Sequence, residues 1–279
     1  MDKNNEIIKL IDTFNSEYNR NGEPIRINFR EIVSELNSTE RYSHLIHSYP
    51  AKLLCHIPFF FLQTDYFCPT NGIVLDPFCG TGTVMLEANI SGRNAKGADA
   101  NPLACLISRV KTTYIKKEDL QKTLGTIISR AKRCNTNDYL ELPSISRWFS
   151  KSTILQLWHL ECAIKNVKDI KHQDFFMMCL SNLVKKVSYA DPSISVPVKL
   201  NPERFIQKPE RMESIKFKLK TLENIDVYDK FENICQLNIN RIDTLENIYS
   251  NGITSEIISN DARFLAKKDG SKEVLQDKS

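Results

Sequence analysis

The segment Ile73-Val74-Leu75-Asp76-Pro77-Phe78-Cys79-Gly80-Thr81-Gly82-Thr83-Val84-Met85-Leu86-Glu87-Ala88 carries the architecture of this chain. Its first three residues are apolar and β-prone and stop at an acid, which reads as a short buried strand. A turn rich in glycine and threonine follows, and Val84 to Ala88 reads as the start of a helix. Gly92 punctuates, and Ala95 to Ala98 reads as a second strand that ends at Asp99. Strand, glycine turn, helix and strand make the βαβ unit of an open parallel sheet. Further on, Ser255-Glu256-Ile257-Ile258-Ser259 reads as a third strand leading into Asn260-Asp261-Ala262-Arg263. The expected class is therefore α/β, with the first three strands of an incomplete parallel sheet and a large helical insert between the second and third.

Two glycines after a parallel strand let backbone amides come close to a ligand at the N-terminus of the next helix. A dinucleotide fingerprint wants a small residue three positions beyond the second glycine, where Met85 stands, too bulky for tight helix–strand packing. A phosphate P-loop wants Gly-Lys-Ser/Thr, which is absent. The turn is therefore shaped for a nucleoside-type ligand with a small charged arm. Asp99, 23 residues past Asp76, is placed to accept hydrogen bonds from ribose hydroxyls. As an acid just before Pro102-Leu103-Ala104 it also suits a helix cap or a solvated loop.

Away from this segment the chain reads as ordinary globular protein. It has 279 residues, 41% hydrophobic and 26% charged, enough for a real core. No run approaches the roughly 18 apolar residues of a membrane span, and no apolar signal stretch follows the polar N-terminus, so no membrane is expected and the location reads as cytoplasmic. The eight cysteines stand singly, without a Cys-x-x-Cys pair, and the five histidines form no ligand motif, so no metal is expected. The net charge of +4 is modest, but Leu183 to Lys220 holds nine Lys/Arg against four Asp/Glu. That stretch suits a phosphate backbone or a solvated helix face.

The remaining organisation is helical. Residues 1–43 read as short helices, with Ile7, Ile8, Leu10, Ile11 and Phe14 at helical spacing, a break at Gly22-Glu23-Pro24 and a second stretch over 28–36. Ile57 to Leu62 reads as a buried helix. Residues 44–115 form the ligand-binding βαβ region, and residues 116–250 are almost wholly helical. Apolar stripes run there through Ile154, Leu155, Leu157, Trp158 and Leu160, and through Phe175, Phe176, Met178, Cys179, Leu180, Leu183 and Val184. Residues 251–279 hold the third strand and a polar tail.

The turn Asp76 to Thr83, with Leu75 before it and Val84 to Ala88 after it, resembles the cofactor loop of S-adenosylmethionine-dependent DNA amino-methyltransferases. So does Gly97-Ala98-Asp99-Ala100-Asn101-Pro102-Leu103-Ala104, continued by Ile107 to Thr112. His47-Ser48-Tyr49-Pro50-Ala51-Lys52-Leu53 resembles the segment that closes over the methionine end of the cofactor, and Asn260 to Arg263 the third-strand element whose acid faces the adenine. The resemblance implies a Rossmann-like methyltransferase sheet, S-adenosyl-L-methionine as cofactor and double-stranded DNA as partner. It places the cofactor among His47, Tyr49, Pro50, Lys52, Asp76, Pro77, Phe78, Gly80, Thr81, Gly82, Thr83, Asp99, Asn101 and Asp261. The helical segment would hold DNA.

The family binds its flipped base in a Ser/Asp/Asn-Pro-Pro-Tyr/Phe pocket. All eleven prolines here are separated, and Asp191-Pro192-Ser193-Ile194, the nearest lookalike, lacks the second proline and the ring. No catalytic residue is therefore assigned. The expectation is a cofactor-binding front half, inactive alone, whose tetrapeptide comes from a second polypeptide or was lost, with Lys272 to Ser279 as the lead-in of the next strand. Cytosine N4 is preferred over adenine N6 as the target. Cytosine carbon-5 chemistry needs a cysteine after a proline, and none of the eight has one. Two other readings stand beside this: an RNA guanine-N2 methyltransferase with a similar loop, and a non-catalytic cofactor-binding subunit or remnant.

Overall fold

A computed structural model describes residues 3–33, 41–50, 52–136, 144–194, 196–259, 261–263 and 265. The polar tail from Lys267, Ala51, Asn260 and positions 34–36 of the second N-terminal stretch lie outside them. The chain divides into an α/β unit, residues 1–114 and 244–279, and a helical unit, residues 115–243.

The α/β unit runs α1 (Lys3–Asn21), α2 (Phe29–Ile32), α3 (His56–Leu62), β1 (Ile73–Asp76), α4 (Thr83–Ile90), β2 (Asn94–Ala98) and α5 (Pro102–Lys111). The helical unit runs α6 (Lys117–Arg133), α7 (Lys151–Lys165), α8 (Ile170–Lys186), α9 (Pro209–Glu223) and α10 (Val227–Asp243). The α/β unit then resumes with α11 (Glu246–Tyr249) and β3 (Ser255–Ser259). Among the described residues the three strands make one sheet in the order β1-β2-β3, parallel throughout. Ile73 pairs with Asn94 and Asp76 with Gly97, which sets the ends of β1 and β2 side by side. The β2–β3 register shifts between Gly97 and Ala98, where the central strand leaves the sheet.

Some boundary expectations need correction. The N-terminal stripe forms one helix of 19 residues that ends at Asn21, at the expected break before Gly22. Among the described residues the second stretch is helical over Phe29–Ile32, started by Asn28, whose side chain accepts from Arg30 N. The helix after the glycine turn begins at Thr83, one residue early, and β2 at Asn94.

Met85 shows how helix and sheet come close without a small residue on the helix. A Cβ added at Gly97 would lie 2.4 Å from Met85 Sδ and 3.0 Å from Cys79 Cβ. The missing side chain is on the strand instead, and the thioether fills its place. The expectation that Met85 prevents tight packing is therefore corrected, because the gap sits at Gly97. Met85, Cys79, Leu62, Ala88 and Ala95 form one core patch with Val74 and Ile257 against it. Full burial of a side chain such as Met85 contributes roughly 1.5–3 kcal/mol.

Polar groups tie the returning strand and the long turn before β1. Asn89 of α4, 1% exposed, donates to Arg93 O and Thr254 O and accepts from Tyr249 and Ser255 hydroxyls at 2.6 Å each. Arg93, 2% exposed, uses all five of its N–H donors. Nε donates to Cys68 O at 2.8 Å, and the two terminal nitrogens donate to Leu62 O, Ser91 O, Thr64 O and Asp65 Oδ1 at 2.7–2.9 Å. One guanidinium thus holds the whole connection from α3 toward β1.

The helical unit is built the other way, on apolar stripes. Leu120, Leu124 and Ile127 of α6, Ile154 and Leu160 of α7, Phe175, Phe176 and Met178 of α8, and Phe231 and Ile239 of α10 are buried. The Phe175 and Phe176 rings meet edge to face with centroids 5.0 Å apart, a favoured geometry. Val184, expected on the α8 stripe, is exposed. Pro209 begins α9, whose Lys216, Lys218 and Lys220 are exposed. No described helix is long and apolar enough to cross a membrane.

Candidate functional site

The site is built where β1 and β2 end side by side. Asp76 closes β1, half-buried, and its Oδ1 accepts from Phe78 N at 3.1 Å, which turns the chain sharply. Burial pushes its carboxyl above the ordinary value, opposed by that hydrogen bond, while nearby Asp99 adds to the rise. Cys79 N then donates to Ala98 O at 2.9 Å, which ties the turn to the end of β2. Pro77 is half-buried and Phe78 is 77% exposed.

Gly80 and Gly82 both have positive φ, +49° and +73°, which glycine alone adopts without strain. Gly82 caps α4, and a Cβ there would strike Ser108 Oγ at 2.3 Å. A Cβ at Gly80 would meet nothing within 4 Å, so the backbone at Gly80 has open space beside it. That space is what a bound nucleoside needs in order to approach the amides.

Asp99 organises this opening. Oδ2 accepts from Gly80 N and Oδ1 from Asn101 N, at 2.9 and 2.8 Å. The capping alternative is corrected by geometry: Asn101, not Asp99, caps α5, accepting from Leu103 N at 2.9 Å ahead of Pro102 at the first helical turn. Each carboxylate oxygen can accept two hydrogen bonds, so Asp99 retains capacity for hydroxyls.

A strap, residues 41–55, crosses the same region. Glu87, 1% exposed in α4, holds Arg41 and accepts from or donates to His44 Nε2 at 2.7 Å. Burial pushes His44 below its ordinary value, against the pull of Glu87. Ser43 Oγ donates to Lys111 O at 2.7 Å. Lys52 Nζ donates to the carbonyls of His47 and His44. Tyr49 Oη accepts from Asn101 Nδ2 at 2.8 Å, joining the strap to the end of β2. Pro50 is exposed and His47 buried. Arg30, His44, Lys52, Cys55 and Thr83 line a cavity of about 230 Å³ at the start of α4.

The structure thus brings Tyr49, Asn101, Asp99 and Gly80 into one hydrogen-bonded chain, with Asp76, Thr81, Gly82 and Thr83 in the adjoining turn. Asp261 is engaged differently: its carboxylate takes Arg263 at 2.7 Å, which holds it down at about 2. Sequence reasoning did not assign the half-buried Arg41 or the buried His44, Glu87 and Lys111 to the site. The signal was available for Lys111, which falls four residues after Ile107 on the buried stripe of α5, and for Glu87, a charge inside an apolar helix.

Cys79 lies within the turn, 4% exposed, and burial pushes its thiol up to about 12. All eight cysteines are free. Among the described residues no group of three or more His, Cys, Asp or Glu could hold a metal ion. In the helical unit, Arg130, Arg133, Lys168 and His159 line a wider concavity of about 690 Å³.

Residues 47–109, which span this site, match the N6/N4 methyltransferase family model, described as DNA methylase. The chain is 26% identical over 239 residues to the Type II methyltransferase M.MvaI of Kocuria varians, covering 81% of this chain and 51% of that protein. The chain is thus similar, over the segment that carries the site, to DNA methylases. It is also 30% identical over 107 residues to the Type II methyltransferase M.MjaII of Methanocaldococcus jannaschii, 38% of this chain and 20% of that protein. No solved structure matches. The chain spans about half the length of one of these Type II methyltransferases and a fifth of the other.

Proposed function

We propose that this chain is the cofactor-binding part of an S-adenosyl-L-methionine-dependent DNA methyltransferase of a restriction-modification system. The observation that carries the reading is the Asp99 carboxylate, which spans Gly80 N and Asn101 N beside the open face of the glycine turn. Bound there, S-adenosylmethionine supplies a sulfonium-activated methyl group. The chain's own residues bind and orient it. Asp99 receives the ribose hydroxyls. Asp76 and the Gly80–Thr83 turn shape the methionine pocket, with Pro77 and Phe78 at its rim. His47, Tyr49, Pro50 and Lys52 close over it, Asn101 holds Tyr49, and Asp261 takes the adenine once Arg263 gives way.

The acceptor in this reading is an exocyclic amine of a base in double-stranded DNA, with cytosine N4 preferred to adenine N6. The helical unit contacts the DNA, which its basic concavity at Arg130, Arg133 and Lys168 supports. The chain contains no Pro-Pro dipeptide, so the flipped-base pocket comes from another polypeptide segment, and the chain alone is expected to bind cofactor without turning over DNA. Calorimetric titration of the 279-residue chain with S-adenosylmethionine tests the reading. We expect saturable binding that weakens about tenfold or more in Asp99→Ala, which removes two charge-assisted hydrogen bonds from the turn. An unchanged affinity in that variant would sink the assignment.

A further inference from the structure

Lys111 is a buried cation with little to hold it. It ends α5 with 1% of its surface exposed, and the hydrogen bond its Nζ makes among the described residues is a long one, 3.4 Å to Thr81 Oγ1. An ammonium has three donors. The groups that act on it are Lys52 and Cys55 of the strap and Glu87 of α4, and Glu87 is already committed to Arg41 and His44. Lys52 and Cys55 also line the cavity at the start of α4, whose lining has two cations and a histidine and no carboxylate. Neither Lys111 nor Thr81 is in that lining. Thr81 stands two residues before the lining residue Thr83, so the under-bonded ammonium sits one hydroxyl behind the turn that opens α4, and with the cationic lining and the helix N-terminus it calls for an anion there.

The route from Lys111 to such an anion is Thr81. A hydroxyl that accepts from an ammonium has its own O–H free to donate elsewhere, whereas a hydroxyl beside a neutral amine can donate its hydrogen bond to the amine's lone pair. Lys111 therefore sets the direction of the Thr81 hydroxyl.

We propose that Lys111, acting through Thr81 Oγ1, is the positioning residue for the carboxylate of an α-amino-acid arm entering the cavity at the start of α4. The proposal rests on the cofactor reading above and deepens it. Burial lowers Lys111 to about 7, with Lys52 adding to the fall and Cys55 and Glu87 opposing it. An arriving carboxylate favours the charged form, so binding above pH 7 takes up a proton. Affinity is then flat below about pH 7 and declines above it.

Two probes separate this role from the site as a whole. S-adenosylhomocysteine carries the amino-acid arm, and 5′-methylthioadenosine lacks it. Both are titrated calorimetrically into the 279-residue chain and its Lys111→Met variant at pH 6.5 and 8.5, with melting curves to confirm folding. We expect the variant to weaken S-adenosylhomocysteine about ten- to a hundredfold and to leave methylthioadenosine within about twofold. The native affinity for S-adenosylhomocysteine should drop on going to pH 8.5, and the variant's should not. Equal weakening of both probes, or of neither, overturns the role of Lys111 while the cofactor site stands. Failure of the native chain to bind either probe overturns the cofactor reading itself and this proposal with it.

Discussion

Arg93 and Lys111 are both buried in the α/β unit, and they are housed in opposite ways. Arg93 spends five donors on four carbonyls and one carboxylate oxygen. Among the described residues, the Lys111 ammonium makes one hydrogen bond, a long one to a hydroxyl. Burying either charge carries a desolvation cost of several kcal/mol, offset only by hydrogen bonds and countercharge. The saturated cation is scaffold: it pins the α3–β1 connection. The under-bonded one lies beside the glycine turn, where the proposed carboxylate would meet it through Thr81. A census of donors used against donors available separates the two where burial alone does not.

Breaking the saturated network should have the largest effect. Arg93→Met leaves the carbonyls of Leu62, Thr64, Cys68 and Ser91 without their donor, and we expect a loss of about 3–5 kcal/mol in denaturant unfolding. A loss below about 1 kcal/mol would mean that water replaces the guanidinium freely and the contrast with Lys111 has no energetic content. Gly82→Ala tests the turn without touching either cation. Its positive φ and the 2.3 Å approach to Ser108 Oγ predict about 2–3 kcal/mol of destabilisation together with loss of S-adenosylmethionine binding. A variant with native stability and binding would show that the turn tolerates another conformation.

The smallest effect has a distinctive sign. Folding lowers Lys111 from 10.5 to about 7, so between those values the unfolded chain holds a proton that the folded chain has released. Stability therefore rises with pH across that window, and the destabilisation is fully present below it. Between pH 7 and 9 the rise should be about 1–2 kcal/mol, and Lys111→Met should remove it from the unfolding curves. A slope that survives the substitution would assign the titration to another group.

The parts of the fold legible in advance are those dictated by short-range chemistry. Ile73 to Asp76, the glycine turn and Ser255 to Ser259 announce themselves through β-prone runs and turn residues, and the strands are where those runs place them. Their order is set by long-range pairing, and nothing local in Ser255 to Ser259 says which strand it joins. Asp99 was legible as important but ambiguous in role, since ribose ligand and helix cap use the same residue type; the cap fell to Asn101 two residues on. Gly97 was invisible, because its purpose lies in the bulk of Met85, twelve residues away in sequence. Lys111 and Glu87 carried only a faint signal, a charge falling on an apolar helical stripe, because charged residues in helices are usually solvated; the packing shows that both are buried.

Cys79 places a thiol inside the turn that would receive an alkylating agent. A thiolate is the better acceptor of a methyl group, and a sulfonium is a willing donor, so an ordinary cysteine there would risk being modified by the enzyme's own reagent. With the thiol raised to about 12, the nucleophilic form is on the order of one molecule in 10⁵ at neutral pH. Under the proposed cofactor reading, the packing that fits Cys79 against Gly97 would also keep that sulfur from being methylated, and the same burial guards it against peroxide.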